Sequence, residues 1–320
     1  MFSPIVPYHQ IQRPVAWHEQ FGRRAPLEVE IGSGLGEFLI RSALAHPRRD
    51  YVGIELNWER ICKTLTRITA ERQRGKLENV RLLKIDARVA FERLFLPQTI
   101  DHIHCLFPCP WPKKRHVKYR LFSNAFLKLV NSRLKQKGQV KIVTDFLPYR
   151  EWARGEIEGS GFEAALNSAE ARYDTKFERK WQKEGQKEFY ELTLTKTGSI
   201  AVPVKEDTPL QAYQLKKFDP HKFRFQDQTG AISVIFKEML FDAVKQKAMI
   251  HVVAAEEELT QHVWVTVMKK GKIWRVCKSD GQSVLPTPAV ARAIELVYET
   301  CLSPGAGPTR PAGRAGKKQE

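Results

Sequence analysis

The sequence predicts an α/β protein: a parallel, doubly wound sheet followed by a second, smaller α+β domain. Three observations carry this. Strand-like and helix-like segments alternate from about residue 27 to residue 195, the pattern of a sheet wound with helices. A glycine-rich loop joins the first strand to the first helix. After Thr197 the texture changes to prolines, glycine and mixed charge, and a second set of short strands begins near residue 221.

The elements follow in order. Residues 27–31 (LEVEI) form a short apolar strand that runs into Gly32-Ser33-Gly34-Leu35-Gly36. Residues 37–45 form a helix with Phe38, Leu39 and Leu44 on its apolar side. A second strand at 50–55 ends in Glu55. Residues 58–74 give an amphipathic helix with a basic exposed side. Strands at 80–85 and 100–106 come next, the first closed by Asp86. A helix at 121–134, a strand at 138–143 ending in Thr144-Asp145, a helix at 149–158 and a late strand at 188–195 complete the series. Residues 1–24 form an N-terminal arm, 25–197 the first domain and 198–220 a linker. Residues 221–302 form a small α+β domain of unknown role. It has strands at 231–236, 249–254, 263–268 and 272–276 and a helix at 288–299. Residues 303–320, rich in Gly, Pro, Ala and basic residues, read as a disordered tail.

A hydrophobic fraction of 42% is enough to build packed cores in a chain of 320 residues, and that length suits about two domains. The formal net charge of +17 draws polyanions, of which nucleic acid is the usual one. The five cysteines (Cys62, Cys105, Cys109, Cys277, Cys301) are odd in number, sparse and without a CxxC pair. That argues against a disulfide framework and a structural zinc, and for a reducing cytoplasm. No run approaches the roughly 20 apolar residues that cross a bilayer. The expectation is therefore no membrane partner and no metal, in a monomer or homodimer.

The glycine loop carries the first chemistry. Glycine permits positive φ and close approach of the backbone to a ligand. The spacing differs from the GxGxxG of dinucleotide-binding loops, where a pyrophosphate sits on the helix N-terminus. Here Glu30 precedes Gly32, Gly34 and Gly36. A carboxylate repels a phosphate and welcomes an ammonium, which favours S-adenosyl-L-methionine (leaving as S-adenosyl-L-homocysteine) and makes the fold a Rossmann-like class I methyltransferase sheet. Glu55, some 20 residues on, suits ribose hydroxyls, and Asp86 suits the adenine amino group. The plainer reading of any one such acid is a turn or helix cap. Three in order at strand ends beside a glycine loop favour the cofactor.

Residues 107–120 read FPCPWPKKRHVKYR. Alternate prolines forbid a helix and stiffen the backbone. Trp111 can pack beneath the loop or stack on a base. Lys113, Lys114, Arg115, Lys118 and Arg120 add five positive charges with no acid among them. A basic, aromatic loop beside a methyl donor suits an RNA substrate.

With that motif, the sequence resembles the bacterial tRNA (guanine-N7-)-methyltransferases over about residues 25–195. The resemblance also rests on Val29-Glu30-Ile31-Gly32-Ser33-Gly34, Gly53-Ile54-Glu55, Asp86-Ala87, Thr144-Asp145 and Thr175-Lys176-Phe177-Glu178. It implies methylation of a variable-loop guanine in tRNA. It places Glu30, Glu55 and Asp86 on the cofactor, and Lys113 and Asp145 on the substrate. It places Lys114, Arg115, His116, Lys118 and Arg120 on the RNA, and has Thr175, Lys176, Phe177 and Glu178 close over the guanine. The region after residue 200 falls outside the common family pattern.

One position departs: Cys109 stands where the family has an aspartate, usually regarded as the active-site residue. Guanine N7 carries a free lone pair and no proton, so attack needs no base. Catalysis then rests on positioning and on stabilising the positive ring. A neutral thiol offers less of this than a carboxylate. A thiolate favoured by nearby cations, or substitution by Asp145 or Glu178, would offset the loss. The alternatives are a non-catalytic or weakly active RNA-binding homologue and a methyltransferase acting on another RNA site.

Overall fold

The computed structural model describes residues 3–169, 173–185 and 188–302, so the expected tail at 303–320 lies outside the described residues. The chain divides into two units, Met1–Glu206 and Asp207–Glu320.

The first unit runs α1 (Trp17–Phe21), β1 (Leu27–Ile31), α2 (Glu37–Ala45), β2 (Asp50–Glu55), α3 (Trp58–Gln73), β3 (Val80–Lys84), α4 (Ala87–Arg93), β4 (Ile100–Leu106), α5 (Asn124–Arg133), β5 (Leu134–Thr144), α6 (Leu147–Gly155), β6 (Phe162–Ala169), α7 (Lys176–Lys183) and β7 (Phe189–Lys196). The seven strands lie in the order β3-β2-β1-β4-β5-β7-β6. The first five are parallel and β7 runs antiparallel to both β5 and β6. β1 and β2 are buried at every position, as strands covered on both faces must be.

The winding follows from handedness. Right-handed crossovers that travel outward from β1 to β3 and then, in the other direction, from β4 to β5 place their helices on opposite faces. α2 and α3 pack Leu39, Ala43, Ile61 and Ile68 against Tyr51 and Leu82. α4 and α5 meet through Phe91 and Phe126, with ring centroids 5.7 Å apart. Trp17 of α1 stacks on Phe95 at 5.1 Å.

Four elements escape the periodicity reading. α4 is only seven residues long, too short for a helical repeat to register. β6, FEAALNSA, is mostly exposed and poor in β-branched residues, as suits an edge strand. α7 has a charged face almost all round and starts from a capping box. α1 has five residues and is closed by Gly22 in the left-handed conformation.

The second unit has β8 (Tyr213–Leu215), β9 (Ile232–Asp242), β10 (Lys247–Glu256), β11 (Leu259–Lys270), β12 (Ile273–Lys278) and α8 (Pro288–Leu302). Its antiparallel sheet has the order β8-β12-β11-β10-β9. Val234, Phe236, Ile250, Val252, Val263 and Val265 pack against Ala289, Val290, Ile294 and Val297 of α8. Within the stretch expected to be a linker, β8 pairs with β12. The three-residue strand was too short to read.

The end of the first unit is held by a buried arginine. Arg133 donates from Nε to the Phe91 carbonyl (2.8 Å), from Nη1 to Val202 (2.7 Å) and from Nη2 to Pro203 (3.1 Å). Arg133→Met leaves these carbonyls without their donor and is expected to destabilise the protein by about 3 kcal/mol. Denaturant unfolding checks this, and an unchanged midpoint overturns the role given to Arg133.

Candidate functional site

Parallel strands point all their carboxyl ends the same way. The segments after β1, β2, β3, β4 and β5 therefore share one edge, and the strand order reverses between β1 and β4. Ligands of open α/β sheets bind in the crevice at such a reversal. The predicted acids and the proline-tryptophan segment all arrive at this edge.

The glycine loop is held from three directions. Gly32 N and Ser33 N donate to the Ile54 carbonyl at 2.9 and 3.0 Å, and Gly34 N donates to Glu55 Oε2 at 3.0 Å. Thr64 and Arg67 of α3 reach the Gly34 and Leu35 carbonyls at 3.3 and 3.0 Å. The glycines have different roles. A Cβ on Gly32 (φ +72°) would meet nothing within 4 Å, leaving room for a ligand. A Cβ on Gly36 (φ +70°) would lie 2.4 Å from Thr64 Cγ2. Gly36 thus permits the approach of α3, a packing role beside the cofactor contact expected of it.

Glu30 is 4% exposed. It hydrogen-bonds the Leu39 backbone, but its Oε2 is buried and has no partner among the described residues. Burial pushes its carboxyl up to about 8, against the backbone bond and Arg41. Two residues earlier on the same strand, Glu28 behaves oppositely. Burial would raise it too, but bonds from His104 (3.0 Å) and Arg49 hold it below the usual carboxylate range. His104 lies beside Glu30 in the β1–β4 register, under the Phe38 ring, and its Nδ1 is a second buried atom without a partner among the described residues.

Glu55 is buried and already accepts from Gly34 N and, at 2.8 Å, from Asn57 N. Asp86 caps α4 through Oδ1, which accepts from Arg88 N at 2.7 Å. Each carboxylate keeps unused lone pairs, so the capping and cofactor readings coexist. The residues fit S-adenosylmethionine: a buried acid with one oxygen unpartnered among the described residues for an ammonium, open space over Gly32, and acids at the ends of the next two strands.

The segment 107–120 leaves β4 with Phe107 N still bonded to the Val143 carbonyl at 2.7 Å. Phe107 (φ +57°) and Trp111 (φ +43°) both adopt the left-handed conformation that side chains disfavour, one on each side of exposed Cys109. Lys114–Tyr119 forms a 3₁₀ turn. Trp111 packs on His116 and Tyr119, with centroids 5.6 and 5.4 Å away, so it braces the loop from within. Lys113, Lys114, Arg115 and Lys118 are exposed, and His116 is half-buried.

Arg120 departs from its expected place on the RNA. It is 5% exposed, donates to the Pro110 carbonyl at 2.9 Å, and lies over the Tyr149 and Trp152 rings. It clamps the loop. Glu178 departs too: buried, it accepts from Tyr173 N (3.0 Å) and Thr175 N (3.1 Å) and completes the capping box with Thr175. Neither Thr175 nor Glu178 is exposed, whereas Lys176 and Phe177 are, and Phe177 stacks on Phe107 at 6.2 Å. Asp145, half-buried after β5, has its carboxyl raised by burial, with its own backbone and Lys180 opposing.

Glu37 was missed from the sequence. The first residue of α2, it accepts from Lys176 N (2.6 Å) and from Arg179 (2.5 Å). It thereby ties the 175–178 segment to the helix that follows the glycine loop. Its only signal is its place directly after Gly36.

Comparison with known proteins follows the same lines. A family model described as "Putative methyltransferase" matches residues 24–191. A tRNA (guanine-N(7)-)-methyltransferase of Chlorobium phaeobacteroides is 38% identical over 186 residues, 58% of this chain and 89% of that protein. The protein of that name from Thermus thermophilus is 34% identical over 310 residues, 92% of this chain and 95% of its own. The one from Thermotoga maritima is 28% identical over 311 residues, 91% and 94% respectively. These two matches run on through the second unit. The region after residue 200, expected to lie outside the family pattern, is thus shared with some relatives.

The raised Glu30 makes a pH prediction. From the ordinary 4.5 up to about 8, the folded protein holds a proton there that the unfolded chain has lost. This group therefore lowers stability as pH rises through that window. A bound ammonium pairs with the ionised form, so S-adenosylmethionine uptake at pH 7 is expected to release up to about one proton. Calorimetry in buffers of different ionisation enthalpy measures this. Glu30→Gln should abolish the release, and binding to the unaltered protein without proton release overturns the assignment.

Proposed function

Because this chain belongs to the tRNA (guanine-N(7)-)-methyltransferase family, we propose that it transfers the methyl group of S-adenosylmethionine to N7 of a variable-loop guanine in tRNA. The observation that carries the reading is a juxtaposition. Near the end of β1 lies a buried carboxylate, Glu30, with one oxygen that has no partner among the described residues, and an exposed, braced, basic loop leaves the adjacent β4 at the same sheet edge.

Bound S-adenosylmethionine supplies an electrophilic methyl on a sulfonium. Glu30 would hold its ammonium, Gly32 and Gly34 would leave room for its amino-acid end, and Glu55 and Asp86 would take the ribose and adenine. Held there, it would supply the methyl group that guanine N7 takes up, leaving the positive charge on the purine ring. No proton leaves N7, so the protein needs no general base there. Its task is to hold the ring in line and to balance the new charge.

Asp145, the half-buried acid after β5, is assigned this task, being suited to the N1–H and amino edge of guanine. Lys113 joins it on the substrate. Lys114, Arg115, His116 and Lys118 meet the RNA backbone. Phe177, exposed on a segment tied to Glu37 and stacked on Phe107, offers an aromatic face to the base, with Lys176 beside it. Thr175 and Glu178 shape that segment through the capping box. Cys109 sits in the sequence between two left-handed residues, and an exposed thiol hydrogen-bonds weakly.

Incubation with tRNA and labelled cofactor, followed by nucleoside mass spectrometry, is expected to give 7-methylguanosine. Another methylated nucleoside, or none, overturns the reading. Cys109→Asp is expected to raise the single-turnover rate by roughly tenfold or more, since one well-placed charged partner is worth about 10²–10³ at most. A slower Asp variant would show that charge balance at this position does not limit the reaction.

A further inference from the structure

α8 covers one face of the second unit's sheet. Strand alternation sends the other side chains of β10 and β11 to the opposite face. There His251 pairs in register with Trp264, and Val253 with His262. The His251 ring lies 4.8 Å from that of Trp264 at 18°, and 5.2 Å from that of His262 at 29°. His251 Nε2 and His262 Nδ1 are 3.0 Å apart. The result is three near-parallel π surfaces on central strands, with His262 exposed and Trp264 half-buried. Leu240, 56% exposed, lies on the neighbouring β9.

Charge is sorted along the same sheet. β10 and β11 run antiparallel, so Lys247, Lys269 and Lys270 share one end, joined by Lys272 of the next turn and Arg275 of β12. None of these five cations makes an ion pair with a described residue. The other end carries Glu256, Glu257 and Glu258; two acids of β9 interrupt the pattern, Asp242 in register with Lys247 and Glu238 with His251, whose Nδ1 it approaches to 3.4 Å. A purely structural ring cluster would not need a basic border on one side. Stacking surfaces flanked by cations are what single-stranded RNA requires: every base has a π face, and the phosphates follow the positive border.

We propose that this face is a second RNA-binding surface, on which unstacked bases of the tRNA lie against Trp264, His251 and His262 while its backbone follows Lys270, Lys272 and Arg275. This rests on the reading of tRNA as the substrate, and extends it to a unit that carries no methyl-transfer chemistry.

The test uses the full chain, with transfer-RNA binding and methylation measured separately. Trp264→Ala is expected to weaken tRNA binding and raise KM for tRNA by roughly tenfold, the usual size of one lost base stack, with kcat at saturating tRNA within about twofold. The triple change Lys270→Glu, Lys272→Glu, Arg275→Glu should weaken binding and lower the slope of log Kd against log salt by up to about three. If Trp264→Ala melts out, this exposed triple variant decides. Wild-type binding and KM in the triple variant overturn the proposal. So does a concentration-dependent dimer in the unaltered chain that the triple variant abolishes, which would make the face a self-association surface. If the unaltered chain binds tRNA but methylates none of it, the reading of the first unit fails, and this one is still judged by binding.

Discussion

The reversal of strand order between β1 and β4 is the constraint on which the site depends. β1 is covered on both faces, and its neighbours on either side are reached by crossovers of the same hand in opposite directions. Space opens at the carboxyl edge for that reason alone, and whatever follows these two strands must border it. After β1 comes a loop that only glycine can make at that closeness. After β4 comes a segment whose prolines prevent it from folding back as a helix. The glycine loop and the basic proline-tryptophan loop are thus assigned to adjacent strands by topology, before any side chain is considered.

Electrostatics then separates two acids that are nearly identical by position. Glu28 and Glu30 lie two residues apart on one strand, both nearly excluded from water. Glu28 is answered within the protein by His104 and Arg49 and stays ionised. Glu30 is left with an oxygen that no described residue addresses, and burial holds its proton. Opposite shifts in neighbouring groups separate a charge answered inside the protein from one that is not.

Much of this was legible because it depends on local pattern. The strand limits of β1, β2 and β4 and the first helix follow from apolar runs bounded by glycine and acids. Short or edge elements were not legible: α4 has too few turns to show a period, and β6 packs too little to need β-branched residues. In the site, residue type misled where direction decided. Arg120 stands in a run of cations that reads as RNA contact, yet its guanidinium turns inward to the Pro110 carbonyl and two aromatic rings. Glu178 reads as a base contact and is spent on capping. Glu37 carried no motif, because its function is a contact with a segment about 140 residues away.

Among the described residues, the second unit's core cluster is built from residues 210 to 301. A unit with its own core can be gained or dropped along a lineage as a single genetic event. A relative that matches only 58% of this chain, and others that match more than 90%, are what such modular descent leaves behind.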